Sequence, residues 1–439
     1  MKYIHSSIME GQELKPLDPG TVVGKGKGRS NGNVGILGLN QTGITLHPNV
    51  LARHILTLGA IGSGKTVTMN HIVKAIRQTM NQNDVMIFFD AKGDYLEEFY
   101  QPGDYVISNH IQEPKGMAYW NIYKDILMTP KIKREETIRE IATAFFKEDI
   151  EHSQAPIFAM GARDIFAGIL TIHAREMESG TKKWNNFELI QFIQWSNDVV
   201  LRNMFLEHPD LKWIRNYIQK DGKSTTQSFI VHLYQTIFKL FSGNFARKGD
   251  FSIREVVTKK EGRAVFLEFD LANGNILEPI YTVLLDLAMK EVLGRSASEG
   301  NVYFILDEFP LIPKLNYMDN ALNFGRSLGV KIVAGIQNVG QVEHRYGREL
   351  GHSILSGFGS VFAFRLNDVS SRDFVTARHG ATKRFIGLKS SNAQKGIQDL
   401  LIDGKVIEDW NIVTLKTGQC IVSLPDEDPF IFFPVMYRR

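Results

Sequence analysis

The stretch HILTLGAIGSGKT, His54 to Thr66, decides how this chain is read. Its first half is a short apolar strand. Its second half, residues 59–66, fits G-x-x-x-x-G-K-[ST] without exception and lies between that strand and a helical pattern, the context that gives the motif its meaning. After Lys65, the residues Met69, Ile72, Val73, Ile76 and Met80 recur at helical spacing. VMIFF (85–89) follows as a second buried strand ending at Asp90. Strand, glycine turn, helix, strand is the opening of a βαβ unit and implies an α/β fold with a parallel sheet.

The loop's composition states its chemistry. Glycines let successive backbone N–H groups curl around a phosphate, and the helix N-terminus adds its positive end. We therefore assign Gly59, Ala60, Ile61, Gly62, Ser63, Gly64, Lys65 and Thr66 to nucleotide binding. Lys65 reaches the β- and γ-phosphates, and the Thr66 hydroxyl ligates Mg²⁺. Such a loop needs a carboxylate on a neighbouring strand, and VYFILDE (302–308) supplies an apolar strand followed by two acids. Asp307 is expected to hold the metal through water and Glu308 to orient and deprotonate the attacking water. No guanine-reading N-K-x-D motif is present, so ATP is the expected nucleotide.

Three further positions carry weaker signals. Asp90 and Lys92, in DAKGD, follow the second strand at the edge where ligands of open α/β sheets bind; a plain charged turn explains them equally well. Gln337, closing KIVAGIQ, would sit beside the γ-phosphate if that strand neighbours the Asp307 strand. Arg326 lies on the helix between those strands, where a lone arginine is ordinarily a solvated surface residue.

Strand and helix alternation is interrupted once. Residues about 130–250 are helical in spacing throughout, and alternation resumes with RAVFLEFD (263–270), a helix over 280–293, VYFILDEF, KIVAGIQ, GSVFAFRL and GQCIVSL. The expected organisation is a nucleotide-binding domain in two parts, 1–128 and 251–439, around an all-α insertion, 129–250. Residues 1–50 are glycine-rich and read as short strands and tight turns, with Lys25, Lys27 and Arg29 at a solvated hairpin tip.

Composition sets the outer limits. The chain has 439 residues, 43% hydrophobic and 23% charged, ordinary for a protein with a sizeable core. With 51 Lys+Arg against 48 Asp+Glu, the net charge of +3 excludes a polycation, so nucleic-acid contact must come from local basic patches. The most basic stretch runs from Arg365 to Lys395 and includes Arg372, Arg378, Lys383, Arg384 and Lys389; a channel-lining face and a solvated loop are equally good readings. The single cysteine, Cys420, excludes a disulfide framework and a cysteine-cluster zinc site. The histidines show no metal spacing, so Mg²⁺ with nucleotide is the only metal expected. No run approaches the ~18 apolar residues of a membrane span, and the N-terminus has no signal-peptide core, so a soluble chain is expected. Trp184, Trp195 and Trp213, set among aliphatics, are expected in the core.

Taken together, GAIGSGKT, FFDAKGD, FILDEFP, NFGRSLGV and KIVAGIQNVGQ resemble the coupling-protein ATPases of conjugation and type IV secretion, over nearly the whole chain. The resemblance implies a RecA-like P-loop domain with a twisted, mostly parallel sheet, assembled as a homo-hexamer around a channel. Such rings pump single-stranded DNA, with its relaxase, to a secretion channel. By position, Arg326 becomes an arginine finger reaching the neighbouring subunit's site, Gln337 a sensor, and Asp90 and Lys92 part of the family's strand-end motif. The insertion matches the all-α domain that meets DNA-processing partners. Coupling proteins of this kind usually carry an N-terminal membrane anchor, and this chain opens at the nucleotide domain. The expected location is the cytoplasm, at the inner face of the membrane through a partner or an anchor. The competing readings are a channel-assembly ATPase acting on proteins and a nucleotide-binding adaptor that is no motor.

Overall fold

The strand before the phosphate loop, Ile55–Leu58, is buried at all four positions. A strand apolar on both faces belongs in the interior of a parallel sheet, and that is where it lies. The computed structural model describes residues 2–24, 33–109, 115–219, 223–271, 274–296, 299–312, 314–389 and 397–437. Lys25, Lys27, Arg29 and Lys395, singled out above, lie outside the described residues. Contacts divide the chain into two compact units. One comprises Met1–Met86, Ser296–Lys314 and Met318–Arg439; the other comprises Ile87–Arg295 and Leu315–Tyr317.

In the first unit the strand order is Lys15–Pro16, Phe430–Phe432, Cys420–Ser423, Ser360–Ala363, Ile55–Leu58, Val330–Ile336, Val302–Leu306. Ile55–Leu58 is flanked by parallel partners on both sides, Ser360–Ala363 and Val330–Ile336. Val302–Leu306 pairs parallel to Val330–Ile336, with Leu306 opposite Ala334. The three carboxyl ends that carry the loop, the acids and Gln337 are therefore in register at one edge. Helix Lys65–Thr79 returns over this sheet with Met69, Ile72, Val73 and Ile76 fully buried. Met80 is its extended C-cap rather than part of the helix.

Two small sheets complete this unit. Val22–Val23, Val34–Leu37 and Gly43–Leu46 form one, as the glycine-rich pattern implies. The other was not visible in the sequence: Lys2–Glu10 pairs antiparallel with Ala381–Lys389, which pairs with Ile397–Lys405. The first strand of the chain finds its partner more than 370 positions away, which no local pattern encodes.

The second unit carries the strands Ala264–Glu268 and Tyr105–Ile107, paired in parallel. Between Ile122 and Lys259 every described regular element is helical. The longest, Pro156–Glu178, is long and apolar enough to cross a membrane by length and composition. It is mostly buried and packs on Arg134–His152 and Lys223–Leu240, as the core helix of a bundle does. The chain enters and leaves these helices through one clasp. The fully buried Asp125 carboxylate accepts from Trp120 Nε1 at 2.6 Å, Ser252 Oγ at 2.5 Å and the Arg254 N–H at 3.0 Å. The core expectation holds for Trp184, stacked on His173 with ring centroids 3.5 Å apart. It fails for Trp195 and Trp213, which are 78% and 45% exposed. Trp195 closes its helix and Trp213 lies in a 3-10 segment, so helical spacing did not bring either ring to a buried face.

Candidate active site

The phosphate loop is shaped by its own glycines and by strands far away in sequence. Gly62 and Gly64 have φ of +71° and +112°, backbone that L side chains rarely adopt. Gly64 is also the N-cap of helix Lys65–Thr79, with no side-chain cap and no acid in the first turn. The helix thus offers amide donors and its positive end without a competing anion. The Lys65 ammonium, almost fully buried, donates to the loop's own carbonyls, Gly59 O at 2.6 Å and Ala60 O at 3.2 Å. The Thr66 side chain is exposed, and Ile61 stands at the tip, 81% exposed. The Ser63 hydroxyl is buried without a hydrogen-bond partner. An uncapped helix start, an ammonium folded onto the loop and the unpartnered Ser63 hydroxyl fit a phosphate, and the exposed Thr66 hydroxyl fits its Mg²⁺.

Two backbone braces, neither anticipated from the sequence, grip the loop from outside. Ala60 N–H donates to the Arg365 carbonyl at 3.0 Å, just beyond strand Ser360–Ala363. Gly418 N–H donates to the Ser63 carbonyl at 2.8 Å, from the turn before strand Cys420–Ser423. The fit is close: a Cβ on Gly64 would stand 2.9 Å from Gly418 Cα, and one on Gly59 would stand 2.6 Å from Phe364 Cβ. Only the TGQ turn ahead of an apolar strand hints at Gly418, and nothing in one sequence connects it to Ser63.

The acids sit beside this loop in the same unit. Asp307 is buried, and its Oδ1 accepts the Glu308 N–H at 3.0 Å. Gly335 on the adjacent strand makes room for that carboxylate, since a Cβ there would lie 2.8 Å from Asp307 Oδ1. Glu308 holds φ 55°, ψ 47°, a left-handed conformation costing a non-glycine residue ~1–2 kcal/mol. Backbone strain of this kind clusters at functional sites. Gln337 Nε2 donates to Glu308 Oε2 at 3.0 Å, so the strand adjacency on which its expected place depended is present.

Arg326 is exposed in a 3-10 turn, Gly325–Leu328, that follows helix Met318–Phe324. In the other unit, Asp90 is almost fully buried and caps the start of helix Asp94–Phe99. Its Oδ1 accepts from the Gly93 and Lys92 N–H groups at 2.9 and 3.3 Å, and its Oδ2 from the Leu96 N–H at 2.9 Å. Burial pushes its pKa up and those bonds pull it back. The Lys92 side chain is exposed on the turn that Asp90 shapes.

Part of the basic stretch after Arg365 is committed to the fold. Arg378 Nη2 donates to the Phe358 and Gly359 carbonyls at 3.1 and 2.9 Å. Arg372 donates to Asn367 O at 2.8 Å and lies 3.6 Å from Asp409, while Lys383 pairs with Glu10 at 2.9 Å. Arg365 is exposed. Among the described residues, no group of three or more His, Cys, Asp or Glu could hold a metal.

The model of the type IV secretion-system coupling protein DNA-binding domain matches residues 39–384. The chain belongs to this family. It is 22% identical over 385 residues to the coupling protein TraD of Escherichia coli strain K12, covering 86% of this chain and 50% of TraD. A conjugal transfer protein TraG of Rhizobium radiobacter is 24% identical over 175 residues, 38% of this chain and 26% of that protein. The chain thus spans half or less of the length of these relatives. Among solved structures, the conjugative coupling protein TrwBdeltaN70 superposes with a TM-score of 0.73 at 16% identity, covering 100% of this chain and 94% of that one. TrwB solved with ADP and Mg²⁺ superposes with a TM-score of 0.70 at 16% identity, covering 98% and 94%. This coupling-protein family therefore shares the α/β P-loop fold read from the sequence.

Proposed function

We propose that this chain is the ATP-driven motor of a coupling protein, converting hydrolysis into movement of single-stranded DNA, bare or joined to a relaxase, toward a type IV secretion channel. One observation carries the catalytic part: an uncapped phosphate loop with Lys65 and Thr66 stands beside Asp307 and the Glu308–Gln337 pair on adjoining parallel strands. In this reading Lys65 and the loop amides bind the β- and γ-phosphates. Thr66 and Asp307 would hold Mg²⁺, the latter through water, and the bound ion would offset negative charge on the phosphate oxygens. Glu308 takes a proton from the attacking water, and Gln337, already bonded to Glu308, registers loss of the γ-phosphate. The TrwB structures with ADP and Mg²⁺ and with non-hydrolysable ATP and GTP analogues support a nucleotide and Mg²⁺ at this loop, and the choice of ATP rests on them together with the missing guanine-reading motif.

Arg326 completes the site in trans. Its exposure on a turn between the acid strand and the Gln337 strand supports a reach to a neighbouring subunit's phosphoryl group, which requires a ring, here a homo-hexamer. Asp90 and Lys92 are assigned to the nucleotide by position in the family's strand-end motif. The helical residues 129–250 are assigned to DNA-processing partners, and the nucleotide-binding domain to 1–128 and 251–439. The proposed location is the cytoplasmic face of the membrane, reached through a partner or an anchor.

The test is the steady-state ATPase rate with no DNA, with single-stranded DNA and with double-stranded DNA. Stimulation by single strands is expected. Mg²⁺-dependent hydrolysis indifferent to both DNAs would favour a channel-assembly ATPase acting on proteins, and no hydrolysis by the assembled chain would favour an adaptor.

A further inference from the structure

His54 stands immediately before the strand that delivers the phosphate loop, and its ring is 1% exposed. Its backbone is left-handed, with φ of +57°, and its carbonyl accepts the Ser360 N–H at 3.2 Å. Both ring nitrogens are engaged. Nδ1 accepts the Ile332 N–H at 3.1 Å, on the strand that ends near Gln337. Because Nδ1 is the acceptor, the neutral ring carries its proton on Nε2, which donates to the Leu322 carbonyl at 3.1 Å. Leu322 belongs to the last turn of helix Met318–Phe324, where carbonyls are open to partners from outside the helix. Arg326 lies four residues on, in the 3-10 turn that continues this helix.

One buried ring therefore ties the strand leading into a subunit's phosphate loop to the helix end from which Arg326 projects. We propose that His54 is a positioning residue for Arg326: its Nε2–H to Leu322 bond holds the helix end so that the guanidinium is presented to the neighbouring subunit's nucleotide. This rests on reading Arg326 as a finger in trans. A catalytic group displaced by about an ångström loses ~10²-fold in rate, so a single anchoring bond at the root of a projecting arginine has leverage far beyond its own strength.

The test exploits which bond each substitution keeps. Asparagine tolerates left-handed backbone, and its Oδ1 can take the Ile332 N–H in place of Nδ1, but the shorter side chain does not reach Leu322. His54→Asn is expected to bind a fluorescent ATP analogue within about twofold of native and to turn over ~10–100-fold more slowly with KM unchanged. In mixed rings it should behave as an arginine-defective subunit. Mixing with Lys65→Ala, which keeps a good arginine, restores activity; mixing with Arg326→Ala restores none. His54→Gln, whose amide reaches toward Leu322, should recover part of the rate and guards against a folding failure of the first variant.

Native turnover by His54→Asn alongside an inactive Arg326→Ala overturns the inference. So does lost nucleotide affinity that Lys65→Ala fails to rescue, since the damage would then lie in the subunit's own loop. If Arg326→Ala is itself fully active, or is not complemented by Lys65→Ala in rings shown to be mixed, the finger reading fails first and His54 falls with it.

Discussion

Replacing Gly418 with alanine should weaken nucleotide binding without touching any residue of the phosphate motif. Gly418 holds φ of +84°, which costs an alanine ~1–2 kcal/mol. The new Cβ would stand 2.7 Å from Phe433 Cε2, a contact that forces the turn or the ring to move. If the turn moves, the Gly418 N–H leaves the Ser63 carbonyl, a bond worth ~1 kcal/mol. The loop then relaxes from the shape it needs around a phosphate. A penalty of ~1–2 kcal/mol on the bound state means ~5–30-fold weaker affinity. The assay is titration with a fluorescent ATP analogue beside a thermal melt. Gly20→Ala is the matched control: its φ is +81°, and nothing lies within 4 Å of its missing side chain. It should lose comparable stability and keep native affinity. Adding Phe433→Leu to Gly418→Ala should let the turn settle back and restore part of the affinity. Native affinity in Gly418→Ala, with a melt shift equal to that of Gly20→Ala, would refute the bracing role.

Lys65→Ala and Glu308→Gln should both abolish hydrolysis, but equilibrium binding separates them: the first loses nucleotide, the second holds ATP, and native-rate hydrolysis by Glu308→Gln would remove Glu308 from its role. Arg326→Ala should bind ATP and hydrolyse almost none, with ~10³–10⁵ in rate at stake, and regain activity when mixed with Lys65→Ala, read as ATPase in co-assembled rings. Arg378→Ala should lower the melting temperature, since it strips two carbonyls of their donor at ~1–3 kcal/mol, whereas Arg365→Ala should leave it unchanged. Burial lowers the His54 pKa from 6.5 to about 4, so the folded state binds fewer protons than the unfolded one between those values. Its contribution is present above pH 6.5 and is lost as pH falls toward 4, up to ~3 kcal/mol; urea unfolding at pH 7 and pH 4.5 should show that slope, flattened in His54→Asn.

What could be read from residues alone was local, or local plus one assumption of strand adjacency. The strand–glycine–helix run at 55–79 and the acids closing 302–308 are contiguous signals, and they lie where the pattern places them. Gln337 needed one further step, that its strand neighbours the acid strand, which the Leu306–Ala334 register satisfies. Gly418, the Arg365 carbonyl and the Lys2–Glu10 strand escaped because each acts through backbone groups on a partner hundreds of positions away, and backbone groups carry no residue signature. The basic stretch stayed open between two readings for a related reason. Charge is visible in a sequence, but whether a guanidinium faces water or caps a carbonyl, as Arg378 does, is decided by packing.

The two braces also impose an order on the molecule's birth. A chain emerging from the ribosome presents its phosphate motif first, and Arg365 and Gly418, which hold Ala60 and Ser63, follow hundreds of positions later. Early segments of a large protein fold as they appear, but this loop stays unbraced until those distant segments have been made. A chain that stops short of Gly418 therefore carries the nucleotide motif without one of the walls that shape it.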